Sequence, residues 1–376
     1  MNDITKPMMV DVFKQISSLP FADLHFRNDP STQLKAIVAI HSTELGPALG
    51  GVRCLSYSNT DRALKDVLQL ARGMTYKSAI NRLEYGGGKA VILYPEMFKK
   101  KSAEYRNALF SAFGDFIESL NGQYITAVDS GTGPDDMDVI ARRTNHVVCT
   151  SQQMKGTGDP SPYTAQGVLR GIQAVLKKST GSDNLSGRHI LVQGVGHVGA
   201  SLVEKLNKQG AKITISDSDN TLLKKYVEKF SCDAVSSNNV FEVECDVFSP
   251  CALGQVIDSK VVSKLKAPAI AGAANNQLMS DEMGEMLRKA GILYAPDYVI
   301  NSGGMLQIAF INDVGKIAEK IDQIYMTLLN IFEKSDQQKM ATNRVADRMA
   351  EAVIEQHYHC KHASAYPPEQ GVNSNC

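Results

Sequence analysis

One glycine signature between two strands constrains this chain more than any other feature. His189–Gln193 is a short apolar run, Gly194-Val195-Gly196-His197-Val198-Gly199 reads G-x-G-x-x-G, and Ala200–Lys208 has helical character up to the stop at Gly210. Ala211–Ser216 is the next strand, and Asp217 ends it. A bare G-x-G-x-x-G is weak evidence, but here strand, turn, helix, strand and acid fall in order. The glycines let a pyrophosphate approach the N–H groups and positive dipole end of the helix. Asp217 would accept hydrogen bonds from the adenosine ribose and repel a 2′-phosphate, so NAD is expected over NADP, and Asp219 adds negative charge nearby.

The chain continues in the same idiom. Strands are expected at Asp246–Phe248, Ala269–Ala271 and Gly291–Tyr294, each running into a loop: Ser249-Pro-Cys251-Ala252, Gly272-Ala273-Ala-Asn275-Asn276-Gln277, and Ala295-Pro-Asp297-Tyr-Val-Ile-Asn301. In a doubly wound sheet, ligands bind beyond the carboxyl ends of the strands, so these loops are placed to hold a nicotinamide and a substrate beside it. Cys245 and Cys251 read as core and loop residues rather than a redox or metal pair.

The first half carries a different signal, in Arg72–Val91. Leu64, Val67, Leu68, Ala71 and Met74 recur at helical spacing, which puts Lys77 at or just past a helix C-terminus. Ala90–Tyr94 reads as a buried strand closed by Pro95, with Gly86-Gly87-Gly88-Lys89 at its entrance. Three glycines there let backbone come close to something, and a lysine held among them loses water, which favours the neutral amine, a base. The stretch is not a P-loop, which needs glycine at 83 and Ser or Thr at 90, where Leu83 and Ala90 stand. A solvated loop lysine is the ordinary reading of one lysine; two bracketing a glycine triplet in apolar sequence weigh against it.

Around it the half is mixed α/β. Lys35–Ile40 is a strand followed by His41 and the glycine-rich Leu45–Arg53; Ser102–Leu120 is an amphipathic helix; Tyr124–Val128 is a strand with Asp129 at its C-terminal end, facing Ser130-Gly-Thr-Gly133. Asp135, Asp136 and Asp138 belong to the first turn of a helix opened by Pro134, where the dipole favours them, and receive no catalytic role.

The 376 residues suffice for two domains, and 40 basic against 40 acidic side chains leave no net charge to attract nucleic acid or an anionic membrane. No apolar run reaches the roughly 18 residues of a membrane span, and no signal pattern opens the chain. Seven scattered cysteines without a C-x-x-C pair suit a reducing compartment, so a soluble cytoplasmic protein is expected. Ile317, Ile321, Ile324, Leu328 and Phe332 stripe a long helix, and a second helix is expected near Arg344–Glu355; such terminal helices pack back on a first domain or form an oligomer contact. The tail His357-Tyr-His359-Cys360-Lys-His362 fits no zinc spacing, so no metal is assigned, and Gly371–Cys376 reads as disordered.

From about Lys35 to about Asn330 the chain resembles the Glu/Leu/Phe/Val amino-acid dehydrogenase family, most nearly its leucine dehydrogenase branch. The motifs are Leu45-Gly-Pro-Ala-Leu-Gly-Gly51, Ala71-Arg-Gly-Met-Thr-Tyr-Lys77, Gly86-Gly-Gly-Lys89, Ala127-Val-Asp129, Gly194–Gly199, Ser249-Pro-Cys-Ala-Leu-Gly254, Ala271-Gly-Ala-Ala-Asn-Asn-Gln277 and Ala295–Asn301. The resemblance implies an α/β fold: an N-terminal mixed α/β amino-acid-binding domain (1–150) and a Rossmann-type doubly wound NAD-binding domain (151–335) with a cleft between them, helices of about 336–376 packing back on the first, in a homo-oligomer. It implies reversible oxidative deamination, an L-amino acid, water and NAD giving a 2-oxo acid, ammonium and NADH.

Carried over by position, the resemblance gives Lys77 the substrate α-carboxylate, with the backbone of Gly50 and Gly51 beside it. Lys89 activates the attacking water, Asp129 shuttles a proton to and from the amino nitrogen, and Asn275 or Asn276 orients substrate or nicotinamide ribose. The cofactor would lie on Gly194, Gly196, His197, Val198, Gly199, Asp217, Cys251, Ala252, Ala273, Asn275 and Asn301. The chemistry asks for the same set: a carboxylate anchor, a base with a pKa near working pH and a proton relay. Leu49, Ala127, Met305 and Ile308 would line the side-chain pocket, with Asn276 at the substrate. The chain departs from the family where Met305 and Ile308 replace small valines, where Phe310 and Ile311 replace an acidic pair, and at Val128, where an acid commonly precedes the catalytic Asp. No Lys or Arg is evident for a γ-carboxylate, which argues against glutamate and leaves aliphatic substrates first and aromatic ones second. A non-catalytic NAD-sensing protein would have lost the lysines or the Asp; a hydroxy-acid dehydrogenase would want a His–Asp or Arg–His pair instead.

Overall fold

The computed structural model describes Val12 and residues 23–94, 102–252 and 254–362. Pro95, Leu253 and the 371–376 tail, all read above, lie outside the described residues. The chain forms two compact units: one holds the chain up to Thr75 with Glu84–Gly156, the other holds Tyr76–Leu83 with the chain from Thr157. The division expected at 150 thus falls at Gly156, and the short segment carrying Lys77 groups with the second unit.

The first unit is built on strands β1 (Asp23–Asp29), β2 (Leu34–Ser42) and β3 (Ala48–Leu55), helix α1 (Thr60–Ile80), strand β4 (Gly86–Leu93), helix α2 (Ala103–Glu118), strand β5 (Tyr124–Val128) and helix α3 (Pro134–Ala141). The sheet order is β1-β2-β4-β3-β5, with β1–β2 and β2–β4 antiparallel and β3 parallel to both β4 and β5. Strand β4 is central and buried on both faces, which is why it reads as a continuous apolar run. Ile37, Ala39 and Val91 on one face pack against Ala63, Leu64, Val67, Leu68 and Ala71 of α1. The α1 stripe predicted the helix, and Lys77 lies in its last turn rather than beyond it.

Two local readings change. The glycine triplet is not an entrance to β4 but part of it, and most of the glycine-rich run after His41 is itself strand, the start of β3. A Cβ on Gly86 would meet Ser42 O at 2.0 Å, one on Gly87 would meet Thr75 N at 2.1 Å, and one on Gly88 would meet the Tyr124 ring at 2.8 Å. What the glycines admit is the neighbouring strand, helix and ring of the protein itself.

The second unit runs α4 (Ser161–Thr180), β6 (His189–Gln193), α5 (His197–Lys208), β7 (Lys212–Ser216), α6 (Asn220–Phe230), β8 (Asp233–Ala234), β9 (Val247–Pro250), α7 (Ser259–Lys264), β10 (Ala269–Ile270), α8 (Glu282–Lys289), β11 (Leu293–Tyr294), α9 (Asp297–Ile300), α10 (Gly303–Ala309), α11 (Val314–Gln338) and α12 (Thr342–His362). Its sheet order is β11-β10-β9-β6-β7-β8, every pair parallel. That is the doubly wound dinucleotide-binding order, with its switch point between β6 and β9. Gly291, expected in the last strand, takes φ +74 and turns the chain out of α8 instead. Helix α5 starts at His197, earlier than expected, because Gly196 already serves as its N-cap.

The C-terminal helices group with the second unit. Within the second unit, Tyr76 Oη donates to Glu351 Oε1 of helix α12 at 2.7 Å, and Tyr298 Oη to Asp347 Oδ1 at 3.0 Å. Among the described residues no helix is long and apolar enough to cross a membrane, and no group of three His, Cys, Asp or Glu could hold a metal ion.

Candidate active site

Strand register brings the first group together. Arg53 on β3 pairs with Val91 on β4, so with Lys89 two positions back it lies on the face that α1 covers. The last β3–β5 pair is Val52 with Val128, which leaves Asp129 level with Arg53 as β5 ends. Lys89 Nζ and an Asp129 carboxylate oxygen form an ion pair, and Arg53 Nε donates to the other oxygen at 2.9 Å. Lys89 is 3% exposed and the Asp129 side chain 11%. Arg53 Nη1 also reaches both oxygens of Asp66 on α1, at 3.2 and 3.0 Å, and Tyr57 Oη donates to Asp66 Oδ2 at 2.8 Å.

The loop after β5 is fixed by Asp129 itself. Its N–H donates to Thr132 Oγ1 at 2.8 Å, and its Oδ1 accepts from Ser130 N at 2.6 Å. Burial pushes the Asp129 carboxyl up, but Lys89, Arg53 and the Ser130 N–H outweigh it and hold the group well below the usual carboxylate range. Burial drives the Lys89 amine down; Asp129 opposes this, and Arg53 reinforces it. The proton this pair can release therefore sits on the lysine, and the carboxylate stays an anion. A solvated loop lysine is excluded.

Of the residues read from sequence, Leu49, Gly50, Gly51 and Ala127 stand on β3 and β5 of the same unit. The two glycines have backbone on both sides: a Cβ on Gly50 would meet Gly88 O at 1.8 Å and one on Gly51 would meet Val128 O at 2.4 Å. Arg53, Asp66 and Tyr57 were not read as site residues. Arg53 carried a signal, a cation between Val52 and Cys54 in a strand buried on both faces; Asp66, set among the apolar positions of α1, carried another.

The second unit holds the remaining residues. Lys77 is 8% exposed, and its charge acts on the half-buried Asp297 carboxyl. Burial raises Asp297; the N–H groups of Gln277 and Tyr298, at 2.8 and 2.6 Å, and Lys77 pull it back down. Met305 is buried and its sulfur accepts from Ser78 Oγ at 3.8 Å, while Ile308 follows half-buried on α10.

The glycine loop is shaped for a ligand. Gly194 takes φ +94, and a Cβ there would meet Ala252 N at 2.7 Å; a Cβ on Gly199 would meet Gly194 O at 1.9 Å; nothing stands within 4 Å of one on Gly196. Gly196 caps α5 without a side chain, and His197 and Val198 open the first turn. Asp217 ties the loop to β7, Oδ2 accepting from Val195 N at 2.8 Å and Oδ1 from Asp219 N at 2.9 Å. A carboxylate has about four acceptor positions, so capacity for a ribose remains.

Beyond β9, β10 and β11, Cys251, Ala252, Ala273, Asn275 and Asn276 sit in the loops as expected. Asn301 Nδ2 donates to Ala273 O at 3.0 Å and to Asn275 Oδ1 at 2.8 Å, whereas its Oδ1 is buried without a hydrogen-bond partner. Such an acceptor suits a carboxamide N–H. The open face at Gly196 and the orphaned Asn301 oxygen both fit a nicotinamide dinucleotide.

Comparison with known proteins gives the chain a family. Residues 21–146 match the family model for the Glu/Leu/Phe/Val dehydrogenase dimerisation domain, and 156–226 and 219–356 match that for Glutamate/Leucine/Phenylalanine/Valine dehydrogenase. The chain is 43% identical to leucine dehydrogenase of Geobacillus stearothermophilus over 349 residues, 92% of this chain and 94% of that one. It is 42% identical to phenylalanine dehydrogenase of Lysinibacillus sphaericus over 354 residues, 92% of this chain and 91% of that one. The crystal structure of L-tryptophan dehydrogenase from Nostoc punctiforme superposes with a TM-score of 0.73 at 38% identity, covering 93% of this chain and 99% of that one. Two domain models in tandem and relatives matched over nearly their whole length place the chain in the Glu/Leu/Phe/Val dehydrogenase family, as an amino-acid dehydrogenase using a nicotinamide cofactor.

Proposed function

We propose that the protein catalyses the reversible, NAD-dependent oxidative deamination of a branched-chain aliphatic L-amino acid to its 2-oxo acid and ammonium. The observation that carries this reading is the buried Lys89–Asp129 pair with Arg53 on its far oxygen: a lysine poised to be neutral beside a carboxylate held charged. Lys77 binds the substrate α-carboxylate, with the backbone of Gly50 and Gly51 beside it. Asp129 relays the proton of the amino nitrogen along its ion pair with Lys89, and back to the departing ammonia, and is left an anion after each transfer. Lys89 takes the proton of the water that attacks the imine carbon. A bound nicotinamide would supply the hydride acceptor that this oxidation needs.

In this reading the first unit carries the proton-handling Lys89 and Asp129, and the second would hold the cofactor on Gly194, Gly196, His197, Val198, Gly199, Cys251, Ala252, Ala273 and Asn301. Asp217 favours NAD by occupying the space of a 2′-phosphate with negative charge. Asn275 and Asn276 orient the reacting groups. Leu49, Ala127, Met305 and Ile308 meet the substrate side chain. A matched dimerisation domain supports a homo-oligomer, and the free cysteines suit a reducing cytoplasm. An aromatic substrate is the second reading, supported by the phenylalanine and tryptophan dehydrogenases among its relatives.

The test is NADH formation against a panel of the twenty common L-amino acids, with NAD and NADP in parallel. Leucine, isoleucine and valine should give the highest kcat/KM, with NAD. A preference for phenylalanine or tryptophan selects the second reading, and no turnover with any amino acid refutes both.

A further inference from the structure

Two partly buried acids share one buried arginine in the first unit. Arg53 lies between Asp129, at 2.9 Å, and Asp66, at 3.0 Å, and is itself 8% exposed. Burial works against its charge, yet Asp129 and Asp66 together keep the guanidinium protonated. A lysine paired alone with a buried carboxylate is a poor base, because giving up its proton would leave the carboxylate buried and uncompensated. Arginine cannot be deprotonated in a protein, so a guanidinium on the far oxygen supplies a charge that persists when the lysine is neutral.

We propose that Arg53 is the positioning residue that keeps Asp129 an anion while Lys89 cycles between ammonium and amine, and that Asp66 sets how much of the Arg53 charge Asp129 receives. The proposal rests on the reading of Lys89 and Asp129 as the proton-handling pair. The groups facing Lys89 are Asp129 from the end of β5, Arg53 from β3, Asp66 from α1 and, through Asp66, Tyr57 from the β3–α1 link. On β2 the residue level with Lys89 is Ala39; His41, further along, is bonded to Thr75 Oγ1 at 2.9 Å. With Lys89 charged, two cations balance two acids. With Lys89 neutral, Arg53 alone faces both, helped by the N–H of Ser130 and the hydroxyl of Tyr57.

The charges predict opposite effects on the two sides of Arg53. Removing the guanidinium makes Lys89 harder to deprotonate, and removing the Asp66 charge makes it easier. A residue that merely braces the sheet would not give opposite signs. The test is competitive acetylation of the full-length protein with trace acetic anhydride across pH, read at Lys89 by peptide mass spectrometry. Each lysine is compared with itself, so burial scales the rate without moving the midpoint. In Arg53→Gln the midpoint should rise by about one unit, leaving about tenfold less neutral amine near pH 7. Arg53→Lys should restore most of that shift, and Asp66→Asn should move the midpoint to lower pH.

Unmoved midpoints in Arg53→Gln and Asp66→Asn, or shifts of the same sign in both, overturn the proposal. Should Arg53→Gln fail to fold, Asp66→Asn decides alone: a shift to lower pH supports the proposal, and no shift or a rise overturns it. Profiles of kcat/KM for L-leucine, taken on the same variants, separate the underlying reading. If acetylation midpoints move as stated and the rate profiles do not follow, the Arg53 assignment stands and Lys89 is not the base.

Discussion

Lys89 on β4 and Asp129 just past the end of β5 are 40 positions apart in sequence, on strands not adjacent in the sheet order, and they form an ion pair beneath helix α1. Strand β3 lies between theirs and contributes Arg53 to the other oxygen of Asp129. The consequence is an anion that stays charged beside an amine that gives up its proton more readily than a free lysine. Oxidative turnover should therefore rise with pH as the amine is freed; a flat profile from neutral to alkaline pH contradicts this.

Cofactor choice rests on Asp217, whose two oxygens already hold Val195 N and Asp219 N. The wild type should prefer NAD, and Asp217→Ser should narrow the ratio of kcat/KM for NAD over NADP. Equal kcat/KM for the two cofactors in the wild type removes Asp217 from the recognition of the ribose.

Substrate size rests on Met305, whose sulfur is held by Ser78 in the last turn of α1. A hydrophobic pocket discriminates by about 1–3 kcal/mol per methylene, so added bulk should favour valine over leucine by about tenfold without excluding leucine. Met305→Val should raise the leucine-to-valine ratio of kcat/KM. If the ratio does not rise, Met305 does not meet the side chain. A flexible methionine that swings aside would show instead as wild-type activity on phenylalanine.

Acid stability has a marker in His41. Burial, with a smaller contribution from Arg72, pushes its imidazole from 6.5 down to about 4. The folded state thus binds fewer protons than the unfolded chain between these values. Its contribution to stability is full above pH 6.5 and is lost as pH falls toward 4, by about 2 kcal/mol at pH 5. Compared by chemical denaturation, the stability gap between His41→Gln and wild type should shrink by about that amount from pH 7 to pH 5. A gap that stays constant contradicts the assignment.

The nucleotide unit was legible because its cues are local. Strand β6 is bounded as read, and Gly194–Gly199 and Asp217 fall at the turns where chain chemistry alone puts them. The first unit was legible only in part. Tyr124–Val128 was read with its correct ends, placing Asp129 at a strand terminus, but β3 was hidden by its own glycines. Those glycines, like Gly86–Gly88, answer to partners far away in sequence, such as Tyr124 and Thr75, and no local pattern announces such approaches. Arg53 and Asp66 each stand out as a charge among apolar positions, but their partners, and Tyr57 with them, appear only once register sets Arg53 level with Asp129. Lys77 could be placed on its helix, but not assigned to a unit, because Tyr76 and Asn81 beside it bond to Glu351 and Ser302, more than 200 positions on.

The most direct test of the account is Lys89→Ala, assayed for kcat in oxidative deamination and for NADH binding by fluorescence. Lys89 acts on the substrate side of the reaction, so kcat should fall by about 10²–10⁴-fold while the Kd for NADH is unchanged. A variant that keeps more than about a tenth of the wild-type kcat, on the scale of that general-base contribution, would show that Lys89 is not the base.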